Sequence, residues 1–267
     1  MSPARLLLCL LCAVFALRPL QAAAQARPDH PFRADLSASG GWVSGNVGQA
    51  QATAAAHLSH SAERLGYDLL GSTFRLWIRP TPEAPLIQVG DTLAVSALPF
   101  WYFGERPYLL GVARYEHSQL RGVGARVNAG ASVGVAPVRR EDRLLRVSLG
   151  AQVEHTQFDG ADLDPAWVED GASRTVPRAA VQSNGWLRLP GKRVSARYVG
   201  GLWVHPALPR DLRAYLDAST DLTLIGSISL RASVNVLHDR VAPVGVQPTD
   251  LRANLGLAWK TPAPTGP

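Results

Sequence analysis

The chain has 267 residues, with 27 Lys and Arg against 21 Asp and Glu, and 46% of its residues are hydrophobic. The basic residues alternate with apolar ones and are spread along the chain, which argues against a nucleic-acid-binding protein. Both cysteines, Cys9 and Cys12, lie among the first 26 residues. The remaining chain is therefore predicted to have no disulfide, thiolate metal site or cysteine nucleophile.

The first 26 residues have the pattern of a secretory signal peptide. Arg5 gives a positive start, residues 6–17 form an apolar core, and Ala-Gln-Ala at 24–26 fits a small-residue cleavage site. We predict cleavage after residue 26, followed by a short periplasmic lead at residues 27–33. Loss of Arg5 and Arg18 lowers the net charge from +6 to about +4. Export predicts a location in the envelope of a Gram-negative cell.

Beyond the signal peptide, apolar and polar residues alternate with the period of a β-strand. The clearest example is Arg143–Phe158, where Leu145, Val147 and Leu149 share one side and Arg146 lies on the other. This stretch is longer than the usual globular strand of about 5–6 residues. A tilted strand crosses a bilayer with about 9–11 residues. Lipid on the apolar side and a polar interior on the other side would suit such a strand.

The same unit recurs about twelve times between residues 34 and 260. The predicted strands are Ala34–Val43, Gln49–Ser59, Leu65–Ile78, Asp91–Trp101, Leu109–His117, Val123–Val135, Arg143–Phe158, Ala179–Leu189, Val194–Val204, Leu212–Leu224, Ile228–Val236 and Asp250–Trp259. The alanines of the second stretch also suit a helix, but its polar residues keep period two. The third stretch changes parity, and we expect a bulge at residues 71–73 to reconcile its halves. Residues 261–267 are predicted to form a tail.

Connection lengths support a membrane barrel. If the first strand rises from the periplasm, the turns after even-numbered strands are short, and the long connections near Pro80, Asp164 and Pro243 follow odd-numbered strands. Outer-membrane barrels have short periplasmic turns and longer outer loops. Aromatic residues near strand ends are predicted to lie at the lipid headgroups. They are Trp42, Trp101, Tyr108, Trp203 and Trp259. The sequence thus predicts an all-β, antiparallel up-and-down transmembrane β-barrel of about twelve strands.

Charged residues on the polar faces are predicted to point into the barrel. They are Arg114, Glu116, Arg126, Arg146, Glu154, Arg197, Arg213, Asp217, Asp221, Arg231 and Arg252. Two interpretations stay open, a selectivity lining for a pore or a packed network of ion pairs, since buried charges must be paired. Gly130 and Gly134 lie in a regular alternating row. We interpret them as making room in a crowded lumen and not as a phosphate loop.

No catalytic residue, metal site or cofactor is predicted. His57 and His60 are three residues apart in a strand, so their side chains face opposite sides and do not share an ion. A serine hydrolase needs Ser, His and a carboxylate at one rim. His155 or the pair His238–Asp239 is the available candidate, but no serine lies in a recognisable nucleophile turn.

Several short motifs occur along the chain in a characteristic order. An alternating strand ends in Gly-x-x-Ser-Gly-Asn at residues 41–46, His238-Asp239 and Pro243 come near the end, and Asp250 opens a final strand, LRANLGLAW. In this order and spacing, the chain resembles the domain-of-unknown-function 481 family, described as salt-induced outer-membrane proteins, over residues 34–260. The resemblance implies an outer-membrane barrel. It implies no catalytic or ligand-binding residues, so none are assigned.

These observations predict an outer-membrane barrel with a structural or envelope and osmotic-stress role and no catalysis. Two alternatives remain open, a narrow channel for small solutes or ions with a charged lumen, and an outer-membrane hydrolase. The expected partners are outer-membrane lipids and, during biogenesis, the barrel assembly machinery and periplasmic chaperones.

Overall fold

The computed structural model describes residues 32–43, 48–62, 64–81, 83–140, 142–159, 173–191, 193–241 and 247–261. Its strands are β1 (Phe32–Val43), β2 (Gly48–Ser61), β3 (Leu65–Arg79), β4 (Ile87–Tyr102), β5 (Pro107–Ser118), β6 (Val123–Arg140), β7 (Arg143–Phe158), β8 (Ser173–Arg188), β9 (Val194–His205), β10 (Leu208–Ile225), β11 (Ile228–Asp239) and β12 (Thr249–Lys260). A short 3₁₀ helix, Gln119–Arg121, follows β5. No helix among the described residues is long and apolar enough to cross a membrane. The predicted signal peptide, most of the lead and most of the tail lie outside the described residues.

The twelve strands form a closed antiparallel barrel, because β1 pairs with both β2 and β12. Every other strand pairs with its neighbours in the chain, so the sheet has no free edge. All twelve predicted strands are confirmed, and so is the up-and-down barrel. The largest difference is in β8, which begins at Ser173, six residues before the predicted start, because it continues to pair with β7 as far as Gln157.

The predicted bulge at residues 71–73 is wrong. β3 pairs with β2 without interruption, from Gly48 opposite Arg79 to Ser61 opposite Gly66. Its regular alternation therefore turns Phe74 into the lumen, where it is 8% exposed and lies beneath the Arg252 guanidinium, 4.1 Å from its ring centre. The parity change in the sequence thus reflects an apolar side chain used inside the barrel and not a shift of the strand.

The outer face of the barrel is apolar. Val133, Leu149 and Leu251 are 59%, 62% and 68% exposed, and they are the outward members of regular alternating strands. Exposed apolar surface on this scale is rare on a protein surrounded by water. It is the expected surface of a strand that faces hydrocarbon.

The interior contains an apolar core along β4 and β5 that the alternation pattern did not predict. Its members are Leu98, Phe100, Tyr102, Tyr108, Leu110, Val112 and Ala136. On these two strands both faces are apolar, so the outward Trp101 and Leu109 alternate with the inward Phe100 and Leu110. The continuous run of apolar residues along these strands was therefore the sequence feature that could have predicted the interior core. One side of the lumen is consequently filled by side chains as in a globular protein.

Two aromatic residues predicted at the headgroups lie inside the barrel. Tyr108 is 1% exposed and belongs to the interior core, and Trp203 is 5% exposed. Both share the parity of lumen-facing residues on their strands, so the prediction is wrong for them. Trp101 and Trp259 are exposed on the outer face, at 45% and 43%. The side chain of Trp42 lies outside the described residues.

Glycines in β6 allow the interior to pack closely. A Cβ at Gly134 would lie 2.5 Å from the Tyr108 ring and 2.6 Å from the Val147 carbonyl oxygen. At Gly130 it would lie 2.3 Å from the Ala151 carbonyl oxygen. These positions accept only a hydrogen, which is the role the sequence predicted for them.

The two ends of the barrel differ. β1 begins and β12 ends at the same end, which we call the termini end, and the short connections after even-numbered strands lie there. The opposite end, which we call the loop end, carries the longer connections that follow β3, β7 and β11. This arrangement matches barrels whose short turns face the periplasm.

Candidate functional site

The eleven charged residues predicted to face the lumen lie on the inward sides of their strands. Eight of them belong to two ion-pair groups, one near each end of the barrel, which also contain charged residues that were not predicted. The loop-end cluster consists of Glu116, Arg121, Arg126, Glu154, Arg174, Arg178, Asp211, Arg213 and Asp239. The termini-end cluster consists of Asp35, His57, Asp68, Arg146, Arg197, Asp221, Arg231 and Lys260. Arg114, Asp217 and Arg252 lie outside both clusters.

Arg213 and Arg126 form the centre of the loop-end cluster. Arg213 donates to Glu116 and, at 3.2 Å, to Glu154. Arg126 lies 2.9 Å from Asp239 and 3.7 Å from Glu116. None of these side chains is more than 4% exposed. Because the partners come from strands on different sides of the barrel, the pairs cross the lumen and leave little room for water.

Arg178 extends the loop-end cluster along β8 and β10. It donates to Glu154 at 2.7 Å and to Asp211 at 2.6 Å, and Arg174 also donates to Asp211. Asp211 is completely buried. Arg174 and Arg178 precede Ala179, where the eighth strand was predicted to begin, so neither was among the residues predicted to face the lumen. The alternation Arg174, Val176, Arg178 continuing into the predicted strand was the signal that could have identified them.

Arg121 closes the cluster from the 3₁₀ helix at the loop end. Its guanidinium lies 3.7 Å from Asp239 and is 5% exposed. Burial lowers the pKa of the Arg121 guanidinium, and the neighbouring Asp239 carboxylate opposes that effect. All nine side chains are buried, so the cluster is dry. Within the described residues it contains five arginines and four carboxylates, which leaves a slight excess of positive charge.

The termini-end cluster is more open to water. Arg231 donates to Asp221 at 2.6 Å and to Asp35 at 2.8 Å. Arg197 donates to Asp35 at 3.3 Å, yet its side chain is 26% exposed, and that of Lys260 is 28% exposed. Solvent therefore reaches these ion pairs, in contrast to those at the loop end.

Arg146 links the termini-end cluster to the apolar core of the interior. Its Nε donates to the Tyr102 hydroxyl at 2.8 Å, and an Nη donates to Asp68 at 3.3 Å. The guanidinium also lies over the Phe100 ring, 3.9 Å from its centre. This arrangement fixes one wall of the lumen by combining a charge-assisted hydrogen bond with a cation–π contact.

A stacked group lies between the two clusters. The Arg114 guanidinium lies 4.6 Å from the Tyr215 ring centre, and Tyr215 stacks on Trp203 at 5.0 Å. Trp203 donates its indole N–H to Gln152 at 3.0 Å. Since Arg114 is on β5 and Tyr215 on β10, this group also crosses the lumen.

Water has access to the lumen next to that stack. Asp217 has the lumen-facing parity of Arg213 and Asp221 on β10, but it is exposed. Ser72 of β3 has the parity of the inward Phe74 and is also exposed. The lumen is thus packed at the loop end and solvated in its middle part.

The geometry gives no support to the hydrolase candidates. His155 faces outward and bonds to Thr175 at 2.8 Å, and His238 bonds to Thr249 at 2.9 Å on the exposed side of its strand. Asp239 is the next residue and points into the lumen, so the two members of the pair lie on opposite faces. Among the described residues, no group of three His, Cys, Asp or Glu is arranged to hold a metal ion.

The histidine pair in β2 is also divided between the two faces. His57 lies on the lumen side, with Nε2 3.1 Å from Asp68 and Nδ1 3.1 Å from Arg197. His60 stacks on Tyr67, with ring centres 5.5 Å apart. This is the arrangement that strand alternation predicted.

Several solved membrane barrels are similar to this chain in overall shape. The translocator domain of the autotransporter NalP from Neisseria meningitidis is 13% identical, with 96% of this chain and 95% of that chain covered and a TM-score of 0.43. The NanC porin is 7% identical, with 85% and 100% covered and a TM-score of 0.46. The β-domain of the Bordetella autotransporter BrkA is 12% identical, with 86% and 97% covered and a TM-score of 0.34.

Comparison of the sequence with models of protein families identifies a family for this chain. Residues 42–260 match the model of the family described as "Protein of unknown function, DUF481". A comparison with curated proteins found no match.

Proposed function

Because the chain belongs to the DUF481 family and folds as a transmembrane β-barrel, we propose that it is a closed, non-catalytic barrel of the Gram-negative outer membrane. The signal peptide would export it, and periplasmic chaperones and the barrel assembly machinery would insert it with the termini end in the periplasm. Its role would be structural, in an envelope exposed to osmotic stress.

The dry ion-pair network at the loop end carries this proposal. Arg126–Asp239 and Arg213–Glu154 cross the lumen at 2.9 and 3.2 Å, with side chains 4% exposed or less. Ions and solutes need a continuous polar path through a pore. Paired and desolvated side chains occupy that path, so the resting barrel would not conduct.

The strand number explains why such a plug is needed. Eight strands enclose a space that side chains just fill, and 16–18 strands leave an aqueous channel. A barrel of twelve strands lies between these limits, and the interior core on β4 and β5 fills only one side of it. Long arginines reaching across the remaining space can close it, and each needs a carboxylate because an unpaired buried charge is costly.

A narrow channel is the second candidate, and the solvated part of the lumen favours it. Asp217 and Ser72 are exposed although they face inward, and the termini-end cluster is partly open to water. A rearrangement of the loop-end arginines would join this space to the opposite side of the membrane. In that case the same arginines would act as the selectivity filter.

Recordings in planar bilayers distinguish the two functions. We expect the refolded wild-type protein to give no stepwise currents, because the loop-end cluster blocks the lumen. The double variant Glu116→Ala/Arg213→Ala removes one charge of each sign from that cluster and shortens both side chains, so we expect it to conduct. Asp142→Ala/Arg143→Ala removes an exposed rim pair, 57% and 46% exposed, and serves as the control. Stepwise wild-type currents whose ion selectivity changes in Arg126→Ala would instead establish the channel.

The structural role has its own test. A deletion strain is expected to lose viability or envelope integrity under osmotic load and to recover with wild-type protein. Purified refolded protein is expected to show no lipase or protease activity. An activity that a single Ser or His substitution removes would restore the hydrolase alternative.

A further inference from the structure

Two neighbouring depressions lie at the termini end of the barrel, one at its rim and one on its outer wall. One is a basic rim pocket of about 630 Å³, whose charged residues are Glu105, Arg106, Arg139, Arg140 and Arg143. The other is an apolar groove of about 870 Å³ on the barrel wall. Val138 and Arg143 line both depressions, so together they form one continuous surface with a charged end and an apolar end.

The groove lies on the lipid-facing side of the wall between two rows of outward side chains. One row runs through Leu145, Gly185, Tyr198, Ala218, Val234 and Ala253, and the other through Leu187, Ala196, Thr220, Ala232 and Leu255. Leu187, Val234 and Leu255 are 40%, 40% and 62% exposed. The residues between the rows, such as Ser219, point into the lumen, so strand backbone forms the floor.

The groove rises from the rim into the membrane. On β8 its wall residue Leu187 is one residue from the strand end, whereas on β12 Leu255 is five residues from the end. It spans six strands from β7 to β12, or about 24 Å at about 4.8 Å per strand. Its small residues, Ala196, Ala218 and Ala232, leave a channel between larger neighbours. The shape suits a flexible hydrocarbon chain that starts at the rim.

Among the described residues that line the rim pocket, four arginines accompany one carboxylate, that of Glu105. Arg140 and Arg143 are directly opposite each other in the β6–β7 hairpin, a placement that is unfavourable for like charges. Asp142 lies 3.7 Å from Arg143, but Arg106 and Arg140 are exposed and point to the same pocket. An anion that contacts several of these guanidinium groups would relieve the repulsion.

Arg139 anchors the pocket to the barrel. Its guanidinium lies over the Tyr102 ring, 4.0 Å from the centre, and donates to the Glu105 carbonyl oxygen at 3.4 Å. The neighbouring Trp101 and Phe103 are 45% and 54% exposed, with ring centres 6.1 Å apart. Exposed aromatic residues of this kind lie at the level of lipid headgroups. The rim pocket is therefore at headgroup depth and the groove at hydrocarbon depth.

We propose that these two depressions form a binding site for one anionic phospholipid of the periplasmic leaflet. Its phosphate would lie among Arg106, Arg140 and Arg143, and an acyl chain would fill the groove. Basic pockets on the cytoplasmic or matrix side of membrane proteins bind anionic headgroups by the same chemistry. The assignment to the periplasmic leaflet rests on the orientation proposed above, while the lipid site itself rests on the charges and shape of the surface.

Native mass spectrometry of the refolded mature chain tests the site. With phosphatidylglycerol and phosphatidylethanolamine present in equal amounts in the detergent, we expect selective retention of one phosphatidylglycerol. Arg140→Gln/Arg143→Gln should reduce this retention about thirtyfold, since each arginine near an anionic surface contributes about 1 kcal/mol. Arg64→Gln/Arg193→Gln removes two exposed arginines from other turns at the same end and should leave it unchanged. Equal loss in both double variants would overturn the proposal, because general surface charge would then explain the retention.

A groove variant separates a lipid site from a simple phosphate site. Ala218→Phe fills the groove from the lipid-facing side without touching the arginines, so it should reduce phosphatidylglycerol retention. If retention persists in that variant and inorganic phosphate displaces the lipid, the pocket binds a free anion and the proposal fails. This experiment does not depend on conductance. A negative result would therefore leave the proposed closed-barrel function intact, and the absence of current in planar bilayers would not support the lipid site.

Discussion

Arg126 of β6 and Asp239 at the end of β11 form an ion pair across the barrel lumen, with Nη2 and Oδ2 2.9 Å apart and each side chain 2% exposed. Arg121 approaches the same carboxylate from the 3₁₀ helix at 3.7 Å. Arg213 Nε lies 3.9 Å from it, so one carboxylate contacts three arginines that belong to different parts of the chain. This contact joins the wall, the loop end and the lumen in a single network.

Asp239→Asn should destabilise the barrel. The amide keeps the shape of the carboxylate but leaves Arg121 and Arg126 with less compensating charge, and breaking a buried pair typically costs about 3 kcal/mol. Urea unfolding of the protein in lipid vesicles measures the loss. Asp250→Asn is the control, since Asp250 is 32% exposed in its pair with Arg252 and should cost less than about 1 kcal/mol. Equal costs at both positions would contradict a buried network.

Gly134→Ala should impair folding of the interior. The new methyl group would lie 2.5 Å from the Tyr108 ring and 2.6 Å from a backbone oxygen, and overpacking costs about 1–3 kcal/mol. At Gly71 a Cβ would have nothing within 4 Å, so Gly71→Ala serves as a matched control and should be neutral or slightly stabilising. Unfolding midpoints of the two variants compare them. A tolerated alanine at Gly134 would show that Tyr108 is not packed against β6.

Leu149→Arg should cost about 2–4 kcal/mol when the protein refolds into bilayers, because Leu149 is 62% exposed in the middle of β7 and would place a charge in hydrocarbon. Ile225 is 74% exposed at the end of β10. Ile225→Arg, near the interface, should therefore cost no more than about 1 kcal/mol. The fraction refolded at increasing urea measures both. Similar costs at the two depths would argue against lipid around the barrel wall.

Cysteine labelling should map water in the lumen. The chain without its predicted signal peptide contains no cysteine, so a single introduced thiol can be followed. Asp217→Cys should react rapidly with a small water-soluble maleimide, because Asp217 is exposed inside the barrel. Ser148→Cys should react slowly, because Ser148 faces inward but is only 3% exposed. Equally slow labelling at both positions would mean that the solvated part of the lumen is also closed.

Much of the fold could be predicted because the relevant signals are local. Leu145, Val147 and Leu149 alternate with Arg146 and its neighbours along one strand, and such alternation needs no knowledge of distant residues. The same rule correctly separated His57 from His60 and placed the charged residues inside. The bulge predicted at residues 71–73 was wrong, because alternation shows which residues share a face but not that the lumen accepts an apolar side chain such as Phe74.

The sequence by itself determined the number of strands, their two faces and hence a barrel with an apolar wall. It could do so because strand alternation depends only on residues that are adjacent in the chain. Only the tertiary structure decided which charges pair, that the loop end is dry and that the middle of the lumen is wet. Arg126 meets Asp239, and Arg213 meets Glu116, only after closure of the sheet has fixed the stagger of strands on opposite sides. Whether a charged residue belongs to a closed plug or to an open lining depends on that stagger. The stagger relates strands that are far apart in the chain, so it cannot be read from any single stretch of sequence.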